Sequence, residues 1–339
     1  MFKRLANWKS GVRPVSRTPR LISFVVIAFD MQREVTRTLH SLARTHQQGC
    51  ESIAYEVVVV DNGSPTPLDL SGLGDLGVPV RLFRRENAKV SPADAINFGV
   101  SRCHGDYVAV MIDGARMLSP GVVRGSFDAI ALAREPVVAV LGLHLGPAHQ
   151  RITVQQGYSK TVEDRLLADI DWPSDGYRLF EVSAWGGSCA AGWFDHAAES
   201  NCIVVSRGFF DSLGGFDERF EMAGGGLVNL DFYKRAVERA DATLIYLLGE
   251  GCFHQLHGGV TTGARQGGQT FDQLNDEYRR LRGEGFAVPE VPAVLYGRLR
   301  PQHGPALASA IAELMARHGL STVVERCAPL LAGESPTRP

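Results

Sequence analysis

GDYVAVMIDGARMLSP, residues 105–120, decides how the rest of this chain reads. The apolar run 107–112 has the length and composition of a buried strand, and it ends on a carboxylate, Asp113. Two small residues follow, Gly114 and Ala115, and then Ser119-Pro120, a pair that predicts a helix N-cap and first helical position. An acid at the carboxyl end of a buried strand sits where open α/β sheets hold their ligands. With small neighbours leaving room, Asp113 is placed to hold a divalent cation against a diphosphate.

Working upstream, LISFVVIA (21–28), YEVVVVD (55–61) and VPVRLF (78–83) read as further strands, with helices over 32–45 and 92–102. Downstream, a helix from Pro120 leads to another apolar strand, PVVAVLG (136–142). Continuous apolar strands separated by helices mean a doubly wound, mostly parallel sheet with both faces covered, an α/β fold. The second half is less regular. A helix over 154–170 precedes a stretch, 171–200, rich in Gly, Trp and acids, then come a strand at 201–206, a helix at 229–240 and a strand at 242–249. A Gly/His loop, a polar helix at 269–282 and a last helix at 305–317 complete the pattern. The expected divisions are 1–20, a basic flexible segment; 21–145, a first half; 146–283, a second half; and 284–339, a Pro-punctuated peripheral appendage.

With 339 residues, 45% of them hydrophobic, the chain has enough apolar surface for a sizeable core. A net charge of −2 leaves no electrostatic footprint for nucleic acid. The exception is 1–20, where Lys3, Arg4, Lys9, Arg13, Arg17 and Arg20 occur without an acid; a solvated tail is expected, with Phe2 and Trp8 offering weak peripheral contact to an anionic membrane. No signal-peptide core or run of about 18 apolar residues occurs, so a soluble cytoplasmic chain is the expectation. The six cysteines (50, 103, 189, 202, 252, 327) form no C-x-x-C pair and read as reduced, mainly buried thiols. The string GLGDLG (72–77) mimics a dinucleotide-binding fingerprint, but it runs into a strand instead of opening a helix and is read as a loop.

Two strand ends carry the chemistry. The second strand closes on Asp61-Asn62-Gly63-Ser64-Pro65, an acid before a turn, and the fourth on Asp113. Taken in order, LISFVVIAFDMQREVTRTLHSL, EVVVVDNGS and ENAKVSPADAINFGVSRCHGDYVAVMIDGARMLSPGVV resemble the nucleotide-sugar-binding half of the family 2 glycosyltransferases with the GT-A fold, and LGGFDERF with the following helix and strand resembles their acceptor half. The resemblance spans about residues 20–260. It implies a donor pocket formed by Ala28, Asp61, Asn62, Asn97, Ile112, Asp113 and Gly114, with Asp61 at the base and Asp113 as the first acid of the D-x-D metal signature.

The chain departs from that pattern. The second acid of D-x-D is Ala115, and the usual Arg before Asn97 is Ile96. Where inverting members carry the general base this chain has Asn229, two residues before Asp231, and an amide cannot take a proton in that role. Asn at this spot, in GGGLVN, resembles the retaining polypeptide N-acetylgalactosaminyltransferases, which also keep a metal-binding His beyond the next strand; here FHQLHGG offers His254 and His257. The resemblance therefore implies a divalent metal, Mn2+ or Mg2+, on Asp113 and a histidine.

Asp195, Glu199, Asn229 and Asp231 are the catalytic candidates, although Asp231 also fits an ion pair with Lys234 or Arg235 along its helix. Trp185, Trp193 and Glu218 are the acceptor candidates. The implied activity is a metal-dependent, hexosyl-type transferase that takes a nucleotide-diphospho-sugar, UDP-sugar favoured, to a glycan or small-molecule hydroxyl. The alternatives are a non-catalytic nucleotide-sugar-binding module and, with less support, a sugar-1-phosphate nucleotidyltransferase. The latter opens with a glycine-rich basic loop where this chain has FDMQRE.

Overall fold

Period-two alternation along the buried strands divides the interior into two cores. In β1 (Ile22–Ala28), Phe24 and Val26 join one apolar cluster while Val25 and Ile27 join the other. In β2 (Tyr55–Asp61), Val57 and Val59 part from Val58 and Val60 in the same way. A strand buried on both faces needs helices above and below it, and this sheet has them. The computed structural model describes residues 21–258 and 270–319. The basic segment 1–20 and Cys327 lie outside the described residues.

The main sheet also contains β3 (Val80–Arg84), β4 (Tyr107–Met111), then β6 (Glu135–Val140), β9 (Cys202–Ser206), β10 (Ala242–Leu248) and β12 (Val294–Gly297). Its order is β12-β10-β6-β9-β4-β1-β2-β3, and every pairing is parallel except the two made by β9. Helices α1 (Gln32–Ser41) and α3 (Val122–Ile130) pack into one core through Val35, Leu39, Val122 and Ala129. Helices α2 (Ala93–Ser101) and α7 (Val228–Val237) fill the other through Ile96, Val100, Val228 and Phe232. The expected α/β, doubly wound and mostly parallel architecture is the one observed.

A second sheet of order β5-β11-β7-β8 abuts the first: β5 (Arg116–Leu118), β7 (Gly142–Leu145), β8 (Ser183–Trp185) and β11 (Cys252–His254). Strands of three or four residues show no readable alternation, so none was expected from the sequence. Ser119-Pro120 does not start a helix, because β5 ends at Leu118 and Ser119 Oγ is drawn to the buried Glu250 (2.6 Å); α3 begins at Val122. The helix expected over 154–170 is divided. The short α4 (Gln150–Thr153) leads through a 3-10 turn to Gly157 at φ 97°, and α5 (Lys160–Asp169) starts anew from the Ser159 cap. The short α6 (Arg207–Ser212) and the longer α8 (Phe271–Arg282) complete the second half.

The stretch after 284 is not peripheral. Strand β12 extends the main sheet beside β10, and α9 (Gly304–His318) buries Ala306, Ala310 and Leu314 against the 183–194 region. Apolar residues on one side of that helix made it a core element. The string 72–77 is a loop with Gly74 and Gly77 at positive φ and no helix behind it. Cys50, Cys103, Cys189, Cys202 and Cys252 are buried free thiols. Among the described residues no helix is long and apolar enough to cross a membrane.

Candidate metal centre

Strand register brings the two acidic strand ends to one edge. Asp61 is level with Ala28, and Met111 with Val26, so two residues further on Asp113 flanks Ala28 from the other side. Strands about 4.8 Å apart put the two backbones roughly 10 Å from each other. The turn after Asp113 lies flat on β1 because Gly114 has no side chain; a Cβ there would fall 2.6 Å from Val35 Cγ2 and 3.1 Å from Ala28 Cβ. Thr38 on α1 fastens it, donating to Gly114 O (2.7 Å) and accepting from Arg116 N (3.1 Å). In the second sheet His254 is paired with Arg116 on one side and with His144 on the other.

These constraints converge on a cluster. One ligand atom each from Asp113, His254 and His257 lie within 4.8 Å of one another. His254 Nε2 is 3.0 Å from His257 Nε2 and 4.0 Å from Asp113 Oδ2. The Asp113 side chain is 19% exposed, so an ion or ligand can reach it. Burial would raise its carboxyl, yet the Arg116 guanidinium, bonded to Oδ2 at 2.9 Å, and the neighbouring His257 hold it below the ordinary value. Burial pushes the His254 and His257 pKa values down, His254 the further, so both rings are neutral near pH 7, as metal ligation requires. One anionic oxygen and two neutral imidazole nitrogens form a donor set that suits a divalent first-row cation. Ala115, in place of a second acid, is fully buried and uses its carbonyl to accept from Gln255 N.

Other expected site residues are placed differently. Asp61 is 1% exposed, and its oxygens are taken by the N–H groups of Ser64 (2.8 Å) and Leu68 (3.2 Å) and by Arg84 (2.7 Å). It is a turn anchor in this conformation, not an open acceptor for a base. Beside it, Asn62 donates to Lys89 O while its Oδ1 is buried without a partner among the described residues. Asn97 spends both ends of its amide on the Phe216 backbone and reaches Glu218. Both it and Glu218, which also pairs with Lys89, line a pocket of about 430 Å³ that contains none of Asp113, His254 and His257. Ile112, partly buried, packs against the core beside Asp113, and Ala28 is covered on the edge between the two acids.

Of the catalytic candidates, Glu199 and Asn229 meet: Asn229 Nδ2 donates to Glu199 Oε2 (2.6 Å) and to Ser200 O (3.1 Å). Arg116 feels the charges of both Asp113 and Glu199, which places the pair on the cluster's side of the molecule. Asp231 is fully buried between Arg235 (2.7 Å) and Arg282 (2.6 and 2.8 Å), a closed ion pair. Asp195 faces α9, bonded to His318 (2.9 Å). Trp185 and Trp193 are core residues packed edge to face (4.8 Å), their indole N–H groups donating to Ala306 O and Glu250 O. Their rings are covered, so no sugar face can stack on them.

Two residues that shape the cluster have no sequence signature. Glu163 on α5 accepts from Leu256 N (2.7 Å), and Arg33 on α1 donates to both Glu163 (2.8 Å) and Leu256 O (3.0 Å), clamping the backbone just before His257. Each lies far from His257 in the chain, and only folding brings them together.

The model of the family described as Glycosyl transferase family 2 matches residues 23–112. This segment is a glycosyl transferase family 2 domain. It ends one residue before Asp113. The protein y4gI of Sinorhizobium fredii is 25% identical over 209 residues, which are 60% of this chain and 21% of y4gI. The chain thus spans about a fifth of the length of that curated relative. Among solved structures, S. aureus TarS 1-349 in complex with UDP-GlcNAc is similar at a TM-score of 0.48 and 13% identity, over 76% of this chain and 66% of that one. The mannosyltransferase PcManGT from Pyrobaculum calidifontis, in complex with GDP-Man and Mn2+, has a TM-score of 0.44 at 16% identity, over 98% and 81%.

Proposed function

We propose that this chain is a metal-dependent glycosyltransferase that moves a sugar from a nucleotide-diphosphate donor, with UDP-sugars favoured, to a hydroxyl of a glycan or small-molecule acceptor. The observation that carries the reading is the Asp113–His254–His257 cluster, which begins one residue beyond the family 2 segment. Asp113 and the two imidazoles would hold Mn2+ or Mg2+. The ion would supply the positive charge against which a diphosphate departs.

The chain's own groups do the rest. Arg116 is held by its Nε on Asp113, and neither of its terminal nitrogens is hydrogen-bonded to a described residue, so they are free to meet a diphosphate oxygen. Glu199, held by Asn229 and with its charge acting on Arg116, would take the proton of the acceptor hydroxyl as its oxygen bonds to the anomeric carbon and the bond to the diphosphate breaks. Asn229 orients Glu199 and does not itself take the proton.

A second reading, donor binding without turnover, draws on the covered Asp61 and on Ala115 in place of an acid. Incubation with UDP-, GDP- and dTDP-sugars with and without Mn2+, followed by chromatography of released nucleoside diphosphate, decides between them. Release that needs Mn2+ and is lost in Glu199→Gln supports the transferase. Donor-induced thermal stabilisation without release supports the binding module, and neither effect with any donor overturns both.

A further inference from the structure

His254 can ligate through Nε2 only if its single hydrogen, in the neutral ring, sits on Nδ1. Something must hold it there, and the structure shows what does. Gln150, the first residue of α4, is fully buried, and its amide orientation is determined by its surroundings. Nε2 of Gln150 donates to His254 O (2.9 Å) and, at longer range, to Leu145 O (3.4 Å). Carbonyl oxygens only accept, so a flipped amide would set oxygen against oxygen at both contacts. Gln150 Oε1 therefore faces His254 Nδ1, 2.7 Å away, and an amide oxygen can only accept from it. The hydrogen is on Nδ1, and the Nε2 lone pair points towards His257 and Asp113.

We propose that Gln150 is a positioning residue of this centre: its side-chain amide grips the His254 backbone carbonyl with one end and locks the ring in the Nδ1–H tautomer with the other. Metal-binding histidines are commonly oriented by such an outer partner, and losing the partner typically costs about 10–100-fold in metal affinity. The contact is long in sequence, 104 residues, and joins α4 to the end of β11. The tautomer assignment stands on hydrogen bonding alone, whereas its consequence for ion binding rests on the metal-centre reading above.

Long-range 1H–15N correlation spectra of the histidine side chains, with His254 assigned by its loss in His254→Gln, read the tautomer directly in the metal-free protein. The wild type is expected to show a pyrrole-type Nδ1 and a pyridine-type Nε2 for His254; the reverse pattern overturns the proposal. Gln150→Met, similar in size but without the amide, is expected to bring up the Nε2–H form and to weaken Mn2+ binding about 10-fold or more, measured by the electron paramagnetic resonance signal of free Mn2+. An unchanged tautomer and affinity in that variant overturn it. Gln150→Leu, which also lacks the amide, carries the same expectation and serves if the methionine variant does not fold; an unchanged tautomer and Mn2+ affinity there count against the proposal. A wild type that shows the Nδ1–H form yet binds no Mn2+ overturns the metal-centre reading while the tautomer lock stands.

Discussion

Asp61 and Asp113 flank the same residue of β1, each at the carboxyl end of a buried strand, yet their surroundings give them opposite work. Three protein donors close around Asp61 and leave it 1% exposed. Asp113 also has donors, Ala115 N and Arg116 Nε, but its Oδ2 faces His254 Nε2 (4.0 Å), a ring nitrogen whose lone pair is held by the hydrogen bond between the two histidines (3.0 Å). A carboxylate whose acceptors are filled by the chain contributes to stability. One grouped with two ring nitrogens, and partly exposed, keeps lone pairs that a cation can gather. Asp231 repeats the first case more strongly, with two arginines around a fully buried carboxylate.

The largest effect should separate the two strand ends. Asp113→Ala is expected to lower Mn2+-dependent nucleotide release by roughly 10³-fold, of order 4 kcal/mol in the barrier, with little change in Tm. A variant with more than about a tenth of wild-type release would erase the distinction. Asp61→Ala should do the reverse, costing roughly 2–6 kcal/mol in urea unfolding because two buried N–H groups lose their acceptor, at about 1–3 kcal/mol each. Asp61→Asn, which keeps one acceptor oxygen, should cost visibly less. An Asp61→Ala protein of full stability would show that the turn does not need its anchor.

Smaller effects sharpen the contrast. Glu163→Gln keeps the size of the side chain but replaces an oxygen with a donor beside Leu256 N or Arg33, loosening the clamp ahead of His257. About a 10-fold loss of Mn2+ affinity is expected from titration. Trp185→Phe removes only the N–H bond to Ala306 O along with some packing, and should cost about 1–2 kcal/mol of stability without raising the KM for any acceptor. A large rise in KM would return Trp185 to the acceptor site.

Much of the fold was legible because long apolar strands announce themselves. Runs such as VVVV in β2 and VAVM in β4 are buried on both faces, and that composition alone calls for helices above and below. Asp113 was legible too, as a charge following such a run before two small residues. The roles of Trp185, Trp193 and Asp195 were not, whereas the pairing of Asp231 with Arg235 along its helix was. A residue in a Gly-rich stretch reads as exposed until its neighbours are known, and the neighbours here are α9 and Glu250, both distant in the chain. The second sheet escaped for a different reason, since three-residue strands are stabilised by their partners and carry no pattern of their own.

What the sequence by itself determined is the layered architecture, the sheet edge where the two acid-tipped strands end and the three residues able to take a cation, because hydrophobic periodicity and residue chemistry are local properties. Only the tertiary structure decided which acids are sealed and which stay open, and that Gln150, Glu163 and Arg33 surround the histidines. Burial and hydrogen-bond satisfaction depend on what arrives from elsewhere in the chain, and no window of neighbouring residues contains that information.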